Sequence, residues 1–228
     1  MKSTKLFLLL IAFLINLLSI NAQWEKTFGP FGWTVYHFAA GNSTLFSDGG
    51  IIFRSTDNGM SWQNKSEGIW YWDVSALFVS NYGVFAGVVE NGNGLLFYSE
   101  DNGESWTQIS LNTTKGISGF AQINSDLYLA ADRDGVFKST DGGITWNKVS
   151  ANLQNITLTS LIAVDESLFL GTLGNGLLKS INGGETWELL VDPANPYDFD
   201  CGYGWIYNDP AYEAGGSLNQ VAPGWGGS

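Results

Sequence analysis

One eight-residue motif occurs four times along this 228-residue chain. Each copy has Ser first, Asp or Asn third, Gly fifth, Ser or Thr seventh and Trp eighth, and the starting serines lie 44, 40 and 41 residues apart. The defining residues are Ser55, Asp57, Gly59 and Trp62; Ser99, Asp101, Gly103 and Trp106; Ser139, Asp141, Gly143 and Trp146; and Ser180, Asn182, Gly184 and Trp187. A period of about 40 residues predicts a repeat protein whose like units stack side by side.

Each motif predicts a tight turn between two strands. The acidic or amide oxygen at its third position can accept backbone N–H groups two or three residues further on, and the glycine supplies a positive φ. We expect the tryptophan to pack across neighbouring repeats. Apolar strands are predicted directly before the motifs at 51–54, 95–98, 135–138 and 177–179, and earlier in the third and fourth repeats at 117–122, 127–131, 158–164 and 168–171. Four short strands per repeat predict the blade of a β-propeller.

The motif resembles the Asp-box, or bacterial neuraminidase repeat, of the sialidase-like, sortilin-like and photosystem II assembly-factor-like β-propellers. The resemblance covers residues 24 to about 190, with Asn182 in place of Asp in the fourth copy. It implies an all-β propeller of four-stranded antiparallel blades, with the Asp-box turns on the side away from the ligand site. Because propellers host many unrelated activities, the resemblance specifies the fold far better than the function.

Residues 1–22 are predicted to be a signal peptide. Lys2 and Lys5 precede an apolar run from Leu6 to Leu18, and Ala22 provides a small residue at the cleavage point. The sequence therefore predicts a secreted, periplasmic or extracellular protein with no membrane span in its mature chain. The net charge of −12 would repel phosphate backbones and anionic bilayers, which argues against nucleic-acid and membrane-surface partners.

The number of blades is less constrained than their identity. Residues 23–190 are predicted to form the propeller repeats, and Trp24-Glu25-Lys26 matches the strand that follows each motif, so this segment is a candidate for an outer strand donated to close the ring. Residues 191–228 are rich in glycine and aromatic residues but carry no motif and only weak strand alternation. They predict an atypical fifth blade, a closing loop or a truncated propeller. An atypical blade or an incomplete ring is favoured over a closed four-blade ring.

Sialidase chemistry is disfavoured by the arginine count. The sialidases that this motif resembles hold the substrate carboxylate with three arginines, whose fixed fork of donors matches a carboxylate. This chain has two, Arg54 and Arg133, and Arg133 lies between Asp132 and Asp134. Arg133 remains a candidate ligand-binding residue.

Other glycosidases need one protonated and one ionised carboxyl group. In a propeller, the loops between the second and third strands and the loops between blades face the usual ligand side. These loops hold the candidate catalytic residues Asp48, Asp73, Glu90, Asp132 and Asp134. The simpler interpretation, which we favour, is that these acids form turns and face solvent, because their spacing selects no pair.

Trp70, Tyr71, Trp72 and Asp73 form the most distinctive predicted ligand-binding segment. Aromatic faces stack on sugar rings and an adjacent carboxylate can bond to hydroxyls, although a bulky loop that plugs the core explains the same residues and is favoured. His37, on a predicted inner strand at 35–40, is expected to be structural.

No cofactor is predicted. One His and one Cys cannot form the usual zinc or copper sites, and calcium is the one metal left open, through Asp198, Asp200, Asn208 and Asp209.

The leading hypothesis is a secreted, non-catalytic propeller that binds an extracellular protein or polysaccharide. The alternative is a carbohydrate-active hydrolase of the sialidase-like or xyloglucanase-like propeller type. The two hypotheses differ at Trp70, Trp72 and Asp73, which either bind a glycan or take part in cleaving one.

Overall fold

The computed structural model describes residues 29, 34–69, 73–113, 115–150 and 153–190. These residues form sixteen β-strands in four sheets of four strands, which we number as blades 1 to 4. Blade 1 contains β1 (Phe38–Gly41), β2 (Thr44–Asp48), β3 (Ile52–Ser55) and β4 (Gln63–Asn64). Blade 2 contains β5 (Val74–Val79), β6 (Val84–Glu90), β7 (Asn93–Ser99) and β8 (Thr107–Ile109). Blade 3 contains β9 (Ile117–Ile123), β10 (Asp126–Ala131), β11 (Gly135–Ser139) and β12 (Asn147–Lys148). Blade 4 contains β13 (Leu158–Val164), β14 (Ser167–Thr172), β15 (Leu177–Ser180) and β16 (Glu188–Leu189).

Every blade is an antiparallel meander in which sequence neighbours pair. Because the strands alternate in direction, the hairpin between the first and second strands and the motif between the third and fourth lie at one end of the blade, the turn end. The turn between the second and third strands and the linker to the next blade lie at the other, the linker end. The predicted all-β propeller architecture is confirmed, and the four described sheets do not close into a ring.

The predicted strands are confirmed with shifts of one or two residues, except at the start of blade 1. There the predicted strand at 35–40 is wrong at its beginning, because β1 starts only at Phe38. The backbone N–H groups of Tyr36 and His37 instead both donate to Asp48 Oδ1, at 2.8 and 2.9 Å. A side-chain acceptor thus replaces the strand partner of these two N–H groups, although His37 O still accepts from Asp48 N at 3.2 Å.

The hydrophobic core lies between the blades, in three successive clusters. Side chains alternate along each strand, so each blade has a leading face towards the preceding blade and a trailing face towards the following one. In β10, Leu127 and Leu129 pack towards blade 2, whereas Tyr128 and Ala130 pack towards blade 4.

The four motifs form nearly the same hydrogen-bonded turn. In the third copy, Ser139 Oγ accepts from Gly143 N at 2.8 Å and donates to Asp141 Oδ1 at 2.8 Å. Asp141 also accepts from the backbone N–H of Thr145 at 2.9 Å and from its hydroxyl at 2.6 Å. The carboxylate therefore reaches four residues along the chain, further than the two or three predicted, although it also accepts from Ile144 N at 3.1 Å.

Glycine is required in these turns for its conformation and its size. The fifth position has a φ between 85° and 94° in all four copies, and the preceding Asn or Gly is also left-handed. A Cβ on Gly143 would lie 2.4 Å from Phe85 Cζ, and one on Gly103 would lie 2.9 Å from Phe46 Cε1. Each of these turns therefore packs closely on an aromatic ring of the preceding blade.

Three of the four motif tryptophans, Trp106, Trp146 and Trp187, pack in the clusters between blades, as predicted, whereas Trp62 meets Phe38 of its own blade. Trp146 meets Phe85 edge to face, with ring centroids 6.1 Å apart, and its indole N–H donates to Gly143 O at 2.9 Å. Trp106 differs, because its N–H donates to Lys65 O in the linker that precedes blade 2. The predicted signal peptide, the possible outer strand at 24–26 and the segment 191–228 lie outside the described residues.

Candidate functional site

A cavity of about 410 Å³ opens at the linker end between blades 2 and 3. Its residues come from the linker between β8 and β9 and from the turn between β10 and β11. They are Leu111, Asn112, Thr113, Lys115, Arg133 and Asp134. Both segments lie at the end of the blades that the sequence predicted to bind ligand.

Arg133 forms the tip of the turn between β10 and β11, in a left-handed conformation with φ of 57°. Its backbone N–H donates to Ile156 O and its carbonyl accepts from Asn155 N, both at 3.1 Å, which joins the turn to the linker that precedes blade 4. Its Nε donates to Thr157 Oγ1 at 3.3 Å, and the side chain is 62% exposed. The position of Arg133 is therefore fixed by its backbone, while its guanidinium remains accessible to solvent.

The negative charge of Asp134 is balanced by an ion pair with Lys148, whose Nζ lies 2.5 Å from Asp134 Oδ1. Partial burial alone would raise the pKa of Asp134, but hydrogen bonds from Lys148 and Thr113 outweigh it and hold the pKa below its usual value. Asp134 is thus an ionised structural partner of Lys148 rather than a proton donor.

Lys115 brings a second exposed cation to the cavity. Its backbone N–H donates to Thr113 Oγ1 at 3.1 Å, and a Cβ on Gly94 would lie 1.9 Å from its carbonyl oxygen. The linker consequently lies directly on the hairpin between β6 and β7. Among the described residues, Lys115 forms no ion pair, and Arg133 contacts only Asp132 in this way, at 3.7 Å.

Asp48 is buried, and its carboxylate is bonded to groups of the protein itself. Besides the two backbone bonds from Tyr36 and His37, its Oδ2 lies 2.6 Å from His37 Nδ1. Burial would raise the pKa of Asp48, yet the hydrogen bonds from His37 and Tyr36 together hold it below its usual value. The contact between Asp48 and His37 thus holds the segment that leads into blade 1 in place.

The other predicted acids are Asp73, Glu90 and Asp132. Asp73 is exposed before β5, and its backbone oxygen accepts from Val89 N at 2.8 Å. Glu90 ends β6 and pairs with Asn93 across a hairpin, and Asp132 Oδ1 accepts from Leu158 N at 3.2 Å. Asp73 thus lies beside the strand that Glu90 ends, whereas Asp132 lies in the next blade.

Trp70, Tyr71 and Trp72, like Asp198, Asp200, Asn208 and Asp209, lie outside the described residues, so their predicted roles remain predictions. Arg54 is located away from the cavity, where its Nη1 donates to Asn102 O and its Nη2 to Glu104 Oε1, both at 2.7 Å. It therefore joins blade 1 to the second motif.

Sequence reasoning did not identify Leu111, Asn112, Thr113 and Lys115. Only their position in the repeat could have indicated these residues. Residues 110–116 form the linker equivalent to the segment that contains Trp70 and Asp73. Within the part of the chain that the structure describes, no group of three His, Cys, Asp or Glu residues is placed to hold a metal, and no helix could cross a membrane.

Comparison with known proteins supports the architecture. Residues 88–199 match the family model of the DUF6242 β-propeller domain, and no curated protein matches the chain. The GH74 enzyme of Niastella koreensis is similar at 19% identity with a TM-score of 0.58, over 70% of this chain and 24% of that one. YCF48 from Cyanidioschyzon merolae is similar at 14% identity with a TM-score of 0.55, over 73% of this chain and 59% of that one.

The extracellular domain of a putative hybrid two-component system from B. thetaiotaomicron gives a TM-score of 0.59 at 14% identity, over 76% of this chain and 24% of its own. The chain thus spans about a quarter of the length of two of these proteins. At such identities the likeness concerns the fold alone. With the four sheets described above, it identifies the described part of the chain as a β-propeller.

Proposed function

We propose that this protein is a secreted, non-catalytic Asp-box β-propeller that binds an extracellular polysaccharide or protein at its linker end. The observation that carries the proposal is the cavity between blades 2 and 3, which has two exposed cations, Lys115 and Arg133, beside Asn112 and Thr113. Guanidinium and ammonium groups bind carboxylates, and amide and hydroxyl groups bind sugar hydroxyls or peptide groups.

The net charge of −12 narrows the class of ligand that we expect. A dense polyanion would be repelled by the surface as a whole, whereas an isolated carboxylate can approach the two local cations. We therefore expect a ligand with neutral groups around single carboxylates, such as a polysaccharide with scattered uronic acids or a peptide with an isolated acidic residue.

The environment of the carboxylates supports binding over hydrolysis. A glycosidase needs a carboxyl group whose pKa is raised so that it can donate a proton. At the linker end, the pKa values of Asp48 and Asp134 are instead lowered by His37 and Lys148 respectively. Both groups therefore remain ionised at neutral pH.

Two observations support an extracellular location. The segment from Lys2 to Ala22 has the pattern of a signal peptide, and one of the similar structures is an extracellular domain. The four turns, in each of which the glycine N–H donates to the serine hydroxyl, support the assignment of the motif as an Asp-box.

The test is affinity electrophoresis through gels that contain a neutral glucan or a xylan with scattered glucuronic acids, with binding to an acidic peptide measured in parallel. We expect retention by one of the acidic ligands, weakened about tenfold by Arg133→Ala because one charge-assisted contact is lost. Lys138→Ala is the matched control, since it removes one positive charge from an ion pair with Asp126 at the turn end.

Equal weakening by Arg133→Ala and Lys138→Ala would contradict a site at the cavity. The same incubations are assayed for newly formed reducing ends. Release of reducing ends that a single loop Asp→Asn substitution abolishes would overturn the binding proposal in favour of a glycoside hydrolase.

A further inference from the structure

The trailing face of blade 4 is an apolar surface of a sheet that no described residue covers. The strand registers assign one equivalent residue to each blade at three positions on this face. The equivalent sets are Ala39, Phe78, Ala121 and Ile162; Phe46, Phe85, Tyr128 and Phe169; and Ile52, Leu96, Val136 and Leu177.

The first three members of each set pack in the clusters between blades, whereas the fourth does not. Ile162 is 56% exposed and Leu177 is 38% exposed. With Phe169, they line an open depression of about 260 Å³. Blade 4 therefore has the side chains of an interface between blades, and no described residue forms the layer that would cover them.

The three complete interfaces indicate what this layer must be. A large apolar residue of the next inner strand, Leu77, Phe120 or Leu161, is buried in each of them. A face with these side chains is therefore suited to the inner strand of a following blade.

The chain continues from β16 with the spacing that such a strand requires. The linkers into blades 2 and 4 occupy 65–73 and 149–157, nine residues each. A linker of the same length after Leu189 ends at residue 198, and the match to the propeller family model extends to residue 199.

The residue pattern changes at position 199. From 199 to 207, bulky or apolar side chains occupy every second position, namely Phe199, Cys201, Tyr203, Trp205 and Tyr207. Gly or Asp fills three of the four positions between them. This alternation has the two-residue period of a strand with one apolar face, and its restriction to nine residues explains why 191–228 as a whole shows only weak alternation.

We propose that residues 199–207 form an inner strand that covers the trailing face of blade 4, with the side of the strand that carries Phe199, Cys201 and Tyr203 against Ile162, Phe169 and Leu177. The competing occupant is a second copy of this chain. The leading face of its blade 1 is not covered by any described residue, and Phe38 there is 66% exposed although its equivalents Leu77 and Phe120 are buried.

Cys201 is the single cysteine of the chain and reports directly on this contact. We expect its thiol to react with Ellman's reagent at least about tenfold more slowly in the native monomer than in urea, because the proposed strand buries it. Ile162→Asp, which puts a charge beneath the strand, should restore fast labelling. Ile181→Asp, at an exposed position outside the depression, should not.

Fast labelling of the native protein would overturn the proposal, as would slow labelling that Ile162→Asp leaves unchanged in a folded monomer. Slow labelling in a dimer that both Ile162→Asp and Phe38→Asp dissociate, judged by sedimentation equilibrium, would assign the face to a second copy instead.

If Ile162→Asp does not fold, Ile162→Cys provides the test. A bis-maleimide reagent of about 10 Å, the usual separation of packed sheets, should link residues 162 and 201 within one chain. Cross-links that form only between chains would overturn the proposal.

Discussion

The two ends of the blades are built on different principles. At the turn end, all four motifs have the same serine bonds, left-handed glycine and tryptophan, and most of their polar groups bond within the turn. At the linker end, no two connections share a sequence, and the fixed backbone around Arg133 leaves cations accessible to solvent. Repetition in the sequence thus corresponds to a repeated hydrogen-bonded turn at one end, whereas the connections at the other end vary, as the proposed binding role requires.

The largest effect is expected where a turn meets the preceding blade. Gly143→Ala should lower the free energy of unfolding by about 2–4 kcal/mol, because its Cβ would clash with Phe85 in a left-handed conformation. Gly92→Ala is the control, since Gly92 is also left-handed, with φ of 79°, but has no atom within 4 Å of the new Cβ. It should cost about 1 kcal/mol. Equal urea midpoints for the two variants would contradict the role of packing.

A smaller loss of stability is expected when the turn keeps its glycine but loses the carboxylate that accepts its hydrogen bonds. Asp141→Ala should lower the free energy of unfolding by about 1–2 kcal/mol, because the N–H groups of Ile144 and Thr145 lose their acceptor but can turn to water. Urea denaturation measures this loss. An unchanged midpoint would show that the glycine and tryptophan alone maintain the turn.

The fourth motif permits a sharper test, because it replaces Asp with Asn182. There Asn182 Nδ2 donates to Thr186 Oγ1 at 2.9 Å, so the hydroxyl reverses its role and accepts. In the other three copies, hydrogen bonds from the side chain and backbone of the Ser or Thr four residues on lower the pKa of the Asp to about 2. These pKa values lie below the unfolded value of about 4, so the stability they contribute is present above pH 4 and is lost as the pH falls towards 2.

Asn182→Asp should therefore leave the melting temperature at pH 7 nearly unchanged and make its decrease between pH 4 and pH 2 steeper than in the natural chain. Thermal melts monitored by circular dichroism across this range measure both slopes. Parallel curves would mean that the fourth turn does not lower the pKa of a carboxylate as the others do.

The smallest effect on stability is expected at the linker end. Arg133→Ala removes one side-chain bond to Thr157 but keeps the backbone bonds to Asn155 and Ile156, so the free energy of unfolding should change by no more than about 0.5 kcal/mol. A larger loss in urea denaturation would indicate that the arginine is structural and would weaken its assignment to ligand binding.

The turns and strands were predictable because their determinants are local. Ser139, Asp141 and Gly143 are close in sequence, and the repeat multiplies a short pattern fourfold. The cavity was not predictable in the same way. Lys115 is positioned through Gly94 in another hairpin, and Arg133 through the linker to blade 4, so each depends on contacts between segments that no short motif encodes.

The buried bond from glycine to serine also affects the chemical ageing of the protein. Asn58-Gly59 and Asn102-Gly103 are dipeptides of the kind in which the glycine nitrogen attacks the asparagine side chain and converts it to aspartate or isoaspartate. In the folded turns, these nitrogens donate to Ser55 Oγ at 2.8 Å and to Ser99 Oγ at 2.7 Å. Attack requires this N–H to lose its proton and leave its acceptor, so we expect the bond that closes the turn also to slow spontaneous deamidation.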